Sequence, residues 1–165
     1  MKFILGSLTI LFLFMFPDCI EKGWKGISVL RTTRDEVEKV LGQPIDDDGL
    51  DVSYRTEDAL IHVTYSNLPC SNAKSFKGNF KVQQNTVLSY RVVVKKELKL
   101  SEFEWQSDLY QRGEDTHVQN WVEYFNAKNG IGLRTEKLQG GDERVFIIRF
   151  DPTVEQNAQF RCENK

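Results

Sequence analysis

The sequence is poor in the residues and motifs by which enzyme sites are usually recognised. It has only two histidines, His62 and His117, which lie far apart in the chain. It contains no G-x-S-x-G turn, no HExxH pair and no glycine-rich phosphate loop before a helix. We therefore predict no catalytic residue, no metal ligand and no cofactor.

The chain also lacks a strong charge of either sign. Its formal net charge at pH 7 is −2, which gives no field that would attract nucleic acid or an anionic membrane. One local group of lysines (Lys74, Lys77 and Lys81) is interrupted by Phe76 and Phe80. We interpret this group as part of a solvated loop or strand face and not as a phosphate-binding patch.

No apolar run is long enough to cross the hydrocarbon core of a bilayer as a helix. The longest, Phe3 to Phe16, has fourteen residues and would extend roughly 21 Å as a helix, less than the ~30 Å hydrocarbon core of a bilayer. Together with Lys2 it is typical of a secretory signal. The sequence thus predicts a signal peptide over 1–18, one domain over 19–165, and export to the periplasm, the outer envelope or the extracellular space.

Cysteine is scarce, and its spacing disfavours a thiolate metal site. The three residues Cys19, Cys70 and Cys162 include no C-x-x-C pair. Because Cys19 lies at the processing point, the expected disulfide joins Cys70 to Cys162, which an oxidising compartment would preserve. The alternatives are a bridge from Cys19 to either of the others, three free thiols, or lipidation of Cys19, although the residues before it are not the small apolar set that lipidation requires.

The segment TTRDEVEKVLGQP, residues 32–44, predicts a short helix. Thr33 and Glu36 form a capping-box pattern, and the helix should stop at Gly42. An apolar stripe is predicted at Val37, Val40 and Leu41. If Val40 packs against a sheet, then Val40→Asp should unfold the protein.

This segment resembles the helix motif of the SmpA/OmlA (BamE-like) envelope domains and of the beta-lactamase-inhibitor-protein-like fold. WKGISVLRTTRDEVEKVLG is also similar to the start of a group of exported bacterial proteins of unknown function. The resemblance covers the first quarter of the chain well and the rest in outline. It implies helices packed on a small antiparallel sheet, and it implies little about function because the shared residues cap and pack the helix.

The remaining pattern indicates an α+β fold, with short helices on one face of an antiparallel sheet. An acidic turn is expected at 46–49, a long loop at 66–81 and a second helix at 102–111. Strands are expected at 52–56, 59–65, 86–94, 118–126, 129–138 and 143–150. This order also permits two related halves, each a helix followed by a meander.

Large aromatic side chains provide the main candidates for binding a partner. In the strand at 118–126, Trp121 and Phe125 fall on one side and Val122 and Tyr124 on the other, so both faces are apolar. Trp, Tyr and Arg dominate the energetics of protein interfaces. We therefore select Trp121, Phe125 and Trp105 as candidate partner-binding residues.

These observations favour an exported, non-enzymatic module that binds another envelope or extracellular protein. Its working surface would be the open sheet face or the 66–81 loop. The alternatives are an exported hydrolase with an unidentified site and an inhibitor of an extracytoplasmic enzyme; the latter is based only on fold analogy.

Overall fold

The computed structural model of the chain describes residues 23–72, 74–103, 105–114 and 118–163. The expected signal peptide, Cys19 and His117 lie outside these residues. Within these described residues the fold is α+β, as predicted, with two α-helices, α1 (Arg34–Leu41) and α2 (Val154–Phe160). The strands are β1 (Asp46–Asp48), β2 (Asp51–Arg55), β3 (Ala59–Tyr65), β4 (Val87–Val94), β5 (Gln111–Glu114), β6 (Trp121–Asn126), β7 (Ile131–Lys137) and β8 (Glu143–Phe150).

All eight strands form a single antiparallel sheet. Their order across the sheet is β1-β2-β3-β4-β8-β7-β6-β5. Two sequential meanders, β1 to β4 and β5 to β8, therefore meet where β4 pairs with β8 at the centre. None of the helices among the described residues has both the length and the apolar character needed to cross a bilayer.

Helix α1 begins and ends where the sequence predicts. The Glu36 carboxylate accepts a hydrogen bond from the backbone N–H of Thr33 at 2.8 Å, and Gly42 ends the helix with a φ of 85°. Val37 and Leu41 are buried in the core, but Val40 is 52% exposed. The prediction for Val40 was wrong, because so short a helix turns only a narrow stripe toward the core.

The prediction of a helix at 102–111 was also wrong. The described residues of this region form two 3-10 turns, Leu100–Glu102 and Ser107–Leu109, and β5 begins at Gln111. The expected acidic turn is in fact an exposed edge strand, β1, followed by a turn at Gly49. Helix α2 was not predicted, although a Thr153–Gln156 capping box marks its start.

The two faces of the sheet differ sharply in exposure. On β3, the side chains of alternate residues from Ala59 to Tyr65 are at most 1% exposed, whereas the residues between them are half-buried. The buried face, here called the core face, is strongly apolar. It continues across the sheet through Val52, Tyr54, Tyr90, Val92, Val122, Tyr124, Leu133 and Ile148.

The predicted disulfide is confirmed. Cys70 and Cys162 are bonded, with 5.7 Å between their Cα atoms. The bond ties the 66–81 loop to the segment after α2, where Phe80 also forms a β-bridge with Arg161. It thereby closes a chain loop with a sequence separation of 92 residues.

Candidate functional site

The face of the sheet opposite the core face, here called the outer face, is mixed in character. One transverse row of directly opposed residues crosses all eight strands, and the row spans roughly 34 Å at about 4.8 Å per strand spacing. From β1 to β5 this row contains Asp46, Ser53, His62, Arg91, Arg149, Gly132, Phe125 and Gln111. The next row contains half-buried aliphatic residues: Leu60, Val93 and Ile147.

Aromatic rings and arginines are paired on the β6 side of the outer face. The guanidinium carbon of Arg134 lies 5.4 Å from the ring centroid of Trp121, and that of Arg149 lies 5.9 Å from the ring centroid of Phe125. Phe146 packs against Trp121, with 4.9 Å between ring centroids. These contacts hold large side chains in place at a surface that solvent reaches.

Two of the three predicted partner-binding residues thus share a surface, and the third lies elsewhere. Trp121 and Phe125 are both half-buried on the outer face. Trp105 packs edge-on against Tyr110 and Tyr124, at centroid distances of 5.1 and 5.0 Å. Because Tyr124 belongs to the core face, Trp105 lies on the other side of the sheet from Trp121 and Phe125.

His62 makes a short polar contact within the transverse row. Its Nδ1 atom lies 2.9 Å from the Ser53 hydroxyl on the neighbouring strand. Burial, with a smaller effect from the positive charge of Arg91, lowers the pKa of His62, while Asp46 acts in the opposite direction. The ring is consequently neutral at pH 7, and it adds no positive charge beside Arg91.

The second predicted surface, the 66–81 loop, is pinned at several points. Phe76 packs edge-on against buried Phe80 with 5.4 Å between ring centroids, and Lys77 forms an ion pair with Asp51. Lys77 is therefore engaged within the chain. Exposed apolar side chains remain here at Leu68 and Phe76, which are 56% and 42% exposed.

Within the part of the chain that the structure describes, no three His, Cys, Asp or Glu side chains come together as metal ligands. No protein-family model matches the sequence, and neither a curated protein nor a solved structure matches the chain significantly. The resemblance to the BamE-like domains and to the beta-lactamase-inhibitor-protein-like fold therefore stays a prediction.

Sequence reasoning missed the arginines of the outer face and Phe146. Strand alternation places Arg91 on the less apolar side of β4, but nothing local indicates that Arg149 lies opposite it. That relationship depends on the pairing of β4 with β8, whose paired residues are far apart in sequence. Phe146 reaches Trp121 because of an irregularity in the β7–β8 pairing at Arg134 and Thr135.

Proposed function

We propose that the chain is an exported, non-enzymatic protein-binding module of the bacterial envelope or extracellular space, and that its partner binds the outer face of the sheet. The observation that supports this proposal most directly is the pair of arginine–aromatic contacts on that face, Arg134 with Trp121 and Arg149 with Phe125. Tryptophan and arginine are among the residues most enriched in interface hot spots. The roughly 34 Å width of the sheet suits a macromolecular partner better than a small ligand.

The proposal includes an architecture in which both helices cover the core face and leave the outer face free. The burial of Val37 and Leu41 supports this placement for α1, and the packing of Phe160 against the core supports it for α2. The strand order further supports two related halves, since one four-strand meander runs inward to β4 and the other inward to β8. Trp105 is left out of the binding surface because it packs against the core.

Export is proposed from Lys2 and the apolar run Phe3 to Phe16, with support from the disulfide. Disulfides persist in oxidising compartments and are rare in the bacterial cytosol. The bond between Cys70 and Cys162 is therefore consistent with a protein that works outside the cytoplasm.

Site-specific photo-crosslinking in the native cells tests the binding surface. A photoreactive phenylalanine analogue is placed at Phe125 on the outer face, at Phe76 in the 66–81 loop, or at Val40 on α1. We expect one crosslinked protein from position 125 and none from position 40, and the crosslink should disappear when Trp121→Ala is added. A crosslink from position 76 alone would show that the partner binds the 66–81 loop and not the outer face. Equal labelling at all three positions would overturn the binding-module proposal.

The hydrolase alternative has one specific observation in its favour, the hydrogen bond between Ser53 and His62. Ser53 lies on β2, which is paired on both sides by β1 and β3. The backbone N–H groups around the hydroxyl are thus used by the sheet, whereas an acyl-transfer site needs free N–H donors for the oxyanion. Hydrolysis of ester or peptide substrates that is abolished by Ser53→Ala would nevertheless establish the alternative.

A further inference from the structure

Two arginines face each other at the centre of the outer face. Arg91 on β4 and Arg149 on β8 are directly opposed in the antiparallel pairing. Like charges at directly opposed positions destabilise a sheet. A locally unfavourable arrangement of this kind is typical of a position that serves function.

Only one of these two guanidinium groups forms an ion pair within the described residues, and it does so through a single nitrogen. Arg149 pairs with Asp151, with 2.6 Å between its Nε atom and the carboxylate. Arg91 is exposed, and it forms no hydrogen bond or ion pair with a side chain in the described part of the chain. Its neighbour on the other side is His62, and an imidazole ring is never anionic, so it cannot neutralise the positive charge of Arg91.

The surroundings of the arginine pair favour binding of a carboxylate. A shallow depression of about 140 Å³ is lined by both arginines. Its wall includes Phe125 and Ile147, and Gly132 contributes no side chain between Arg149 and Phe125. Apolar walls reduce the hydration of an ion pair, which strengthens charge-assisted hydrogen bonds between arginine and carboxylate.

The charges around the pair disfavour a polyanion. Asp46, Asp48 and Asp51 lie beyond His62 toward the β1 edge, and Glu123 lies on the β6 side. Glu123 is paired with Arg134 and Asp51 with Lys77, but Asp46 and Asp48 are exposed, and a nucleic acid or a polyphosphate crossing this face would meet them. A single acidic side chain surrounded by apolar groups avoids them and matches both the charge and the apolar rim.

We propose that Arg91 and Arg149 together bind the carboxylate of one aspartate or glutamate side chain that projects from an apolar surface of the protein partner. The proposal rests on the proposed function, because it presumes that a protein occupies the outer face. It adds the chemistry of the contact at the centre of that interface. The aromatic groups at Trp121 and Phe125 would contact the apolar surface around the acidic residue.

Selection of random peptides displayed on phage, with the full chain as the target, tests this chemistry. We expect the selected peptides to be enriched in Asp or Glu next to aromatic or aliphatic residues. Their affinity should fall at least tenfold for the variant Arg91→Gln, and the matched change of an exposed arginine elsewhere, Arg31→Gln, should leave it unchanged. Thermal unfolding of each variant checks the fold, and Arg91→Gln should be at least as stable as the wild type because one of two opposed charges is removed.

A double-mutant cycle separates a direct contact from a general charge effect. Replacing the acidic residue of a selected peptide by its amide should weaken binding to the wild type at least tenfold, with little further loss on Arg91→Gln. Additive losses, or peptides without acidic residues that still depend on Trp121, would overturn the arginine–carboxylate proposal and leave the outer face as the binding surface. Peptides whose binding is unaffected by both Trp121→Ala and Phe125→Ala would count against the outer face itself.

Discussion

The hydroxyl of Tyr90 joins the central strand β4 to the N-terminal segment by donating a hydrogen bond to the backbone carbonyl of Ile27 at 2.9 Å. The same oxygen accepts a hydrogen bond from the backbone N–H of Trp24 at 2.8 Å. Tyr90 is 2% exposed, and its burial raises the pKa of the phenol well above its ordinary value. One side chain thus satisfies two backbone groups that the sheet does not pair.

The change Tyr90→Phe should lower the free energy of unfolding by about 1–3 kcal/mol, because it leaves a backbone donor and acceptor without a partner. Urea denaturation followed by circular dichroism measures the loss. Tyr110→Phe is the matched control, since the Tyr110 hydroxyl forms no hydrogen bond with a described residue, and it should change stability by less than about 0.5 kcal/mol. Equal effects from both variants would show that the Tyr90 bonds do not hold the segment.

Two valines on α1 should differ strongly in how much stability the protein loses on the same substitution. Val37 is fully buried and Val40 is 52% exposed, so Val37→Asp should unfold the protein by burying an unpaired charge. Val40→Asp should cost at most about 1 kcal/mol, since it only places a negative charge near the helix C-terminus. Circular dichroism melting curves distinguish the two, and an unfolded Val40→Asp variant would contradict the exposure seen here.

Reduction of the disulfide should destabilise the protein substantially. The bond between Cys70 and Cys162 closes a long loop, and removing such a bond typically costs about 2–5 kcal/mol. Chemical denaturation with and without a reducing agent measures the difference, and the Cys70→Ser variant should reproduce it without responding to the reductant. Peptide mapping under non-reducing conditions should recover residues 70 and 162 in one linked species; a linked species containing Cys19 instead would contradict the pairing.

The stability contributed by His62 should depend on pH in a defined direction. Its pKa is lowered in the folded protein, so between the folded value and about 6.5 the unfolded chain binds more protons. The free energy of unfolding therefore falls as the pH decreases from about 6.5 toward the folded pKa, and the contribution of His62 is fully present only above about 6.5. Burial is the main cause of the shift and the charge of Arg91 the second.

Proton NMR titration of the imidazole signals measures this pKa, and a His117→Gln variant assigns the signal of His62. We expect Arg91→Gln to raise the pKa of His62, because a repelling charge is removed. Asp46→Asn should lower it, because Asp46 stabilises the protonated ring. Shifts in the reverse directions would contradict the placement of these three residues in one row.

The elements that could be predicted from the sequence are those whose signals are local. Helix α1 carries its own start at Thr33 and its own stop at Gly42, and β3 alternates clearly from Ala59 to Tyr65. The region after Leu98 has apolar residues at helical spacing, but Trp105 is held by contact with Tyr124, a residue distant in sequence. Tertiary packing therefore overrides the local pattern there, and β5 is polar and exposed throughout, so it gives no strand signal.

The candidate site was predictable only in part, because some of its residues share one strand and others come together through the pairing of strands that are distant in sequence. Trp121 and Phe125 could be placed on one face because they share a strand. The opposition of Arg91 and Arg149 follows from a register between strands in different halves of the chain, and alternation within one strand contains no information about that register.

The central position of β4 has a consequence for the unfinished chain. A chain that emerges N-terminus first presents β4, ending at Val94, well before β8, which begins at Glu143. Until β8 arrives, one edge of a strand with the sequence VLSYRVVV is unpaired and could recruit the same strand of another molecule. Arg91 is the only charge in that strand, and a charge within an apolar strand opposes aggregation. Arg91, which we propose for partner recognition, thus also opposes aggregation between chains whose β8 has not yet been synthesised.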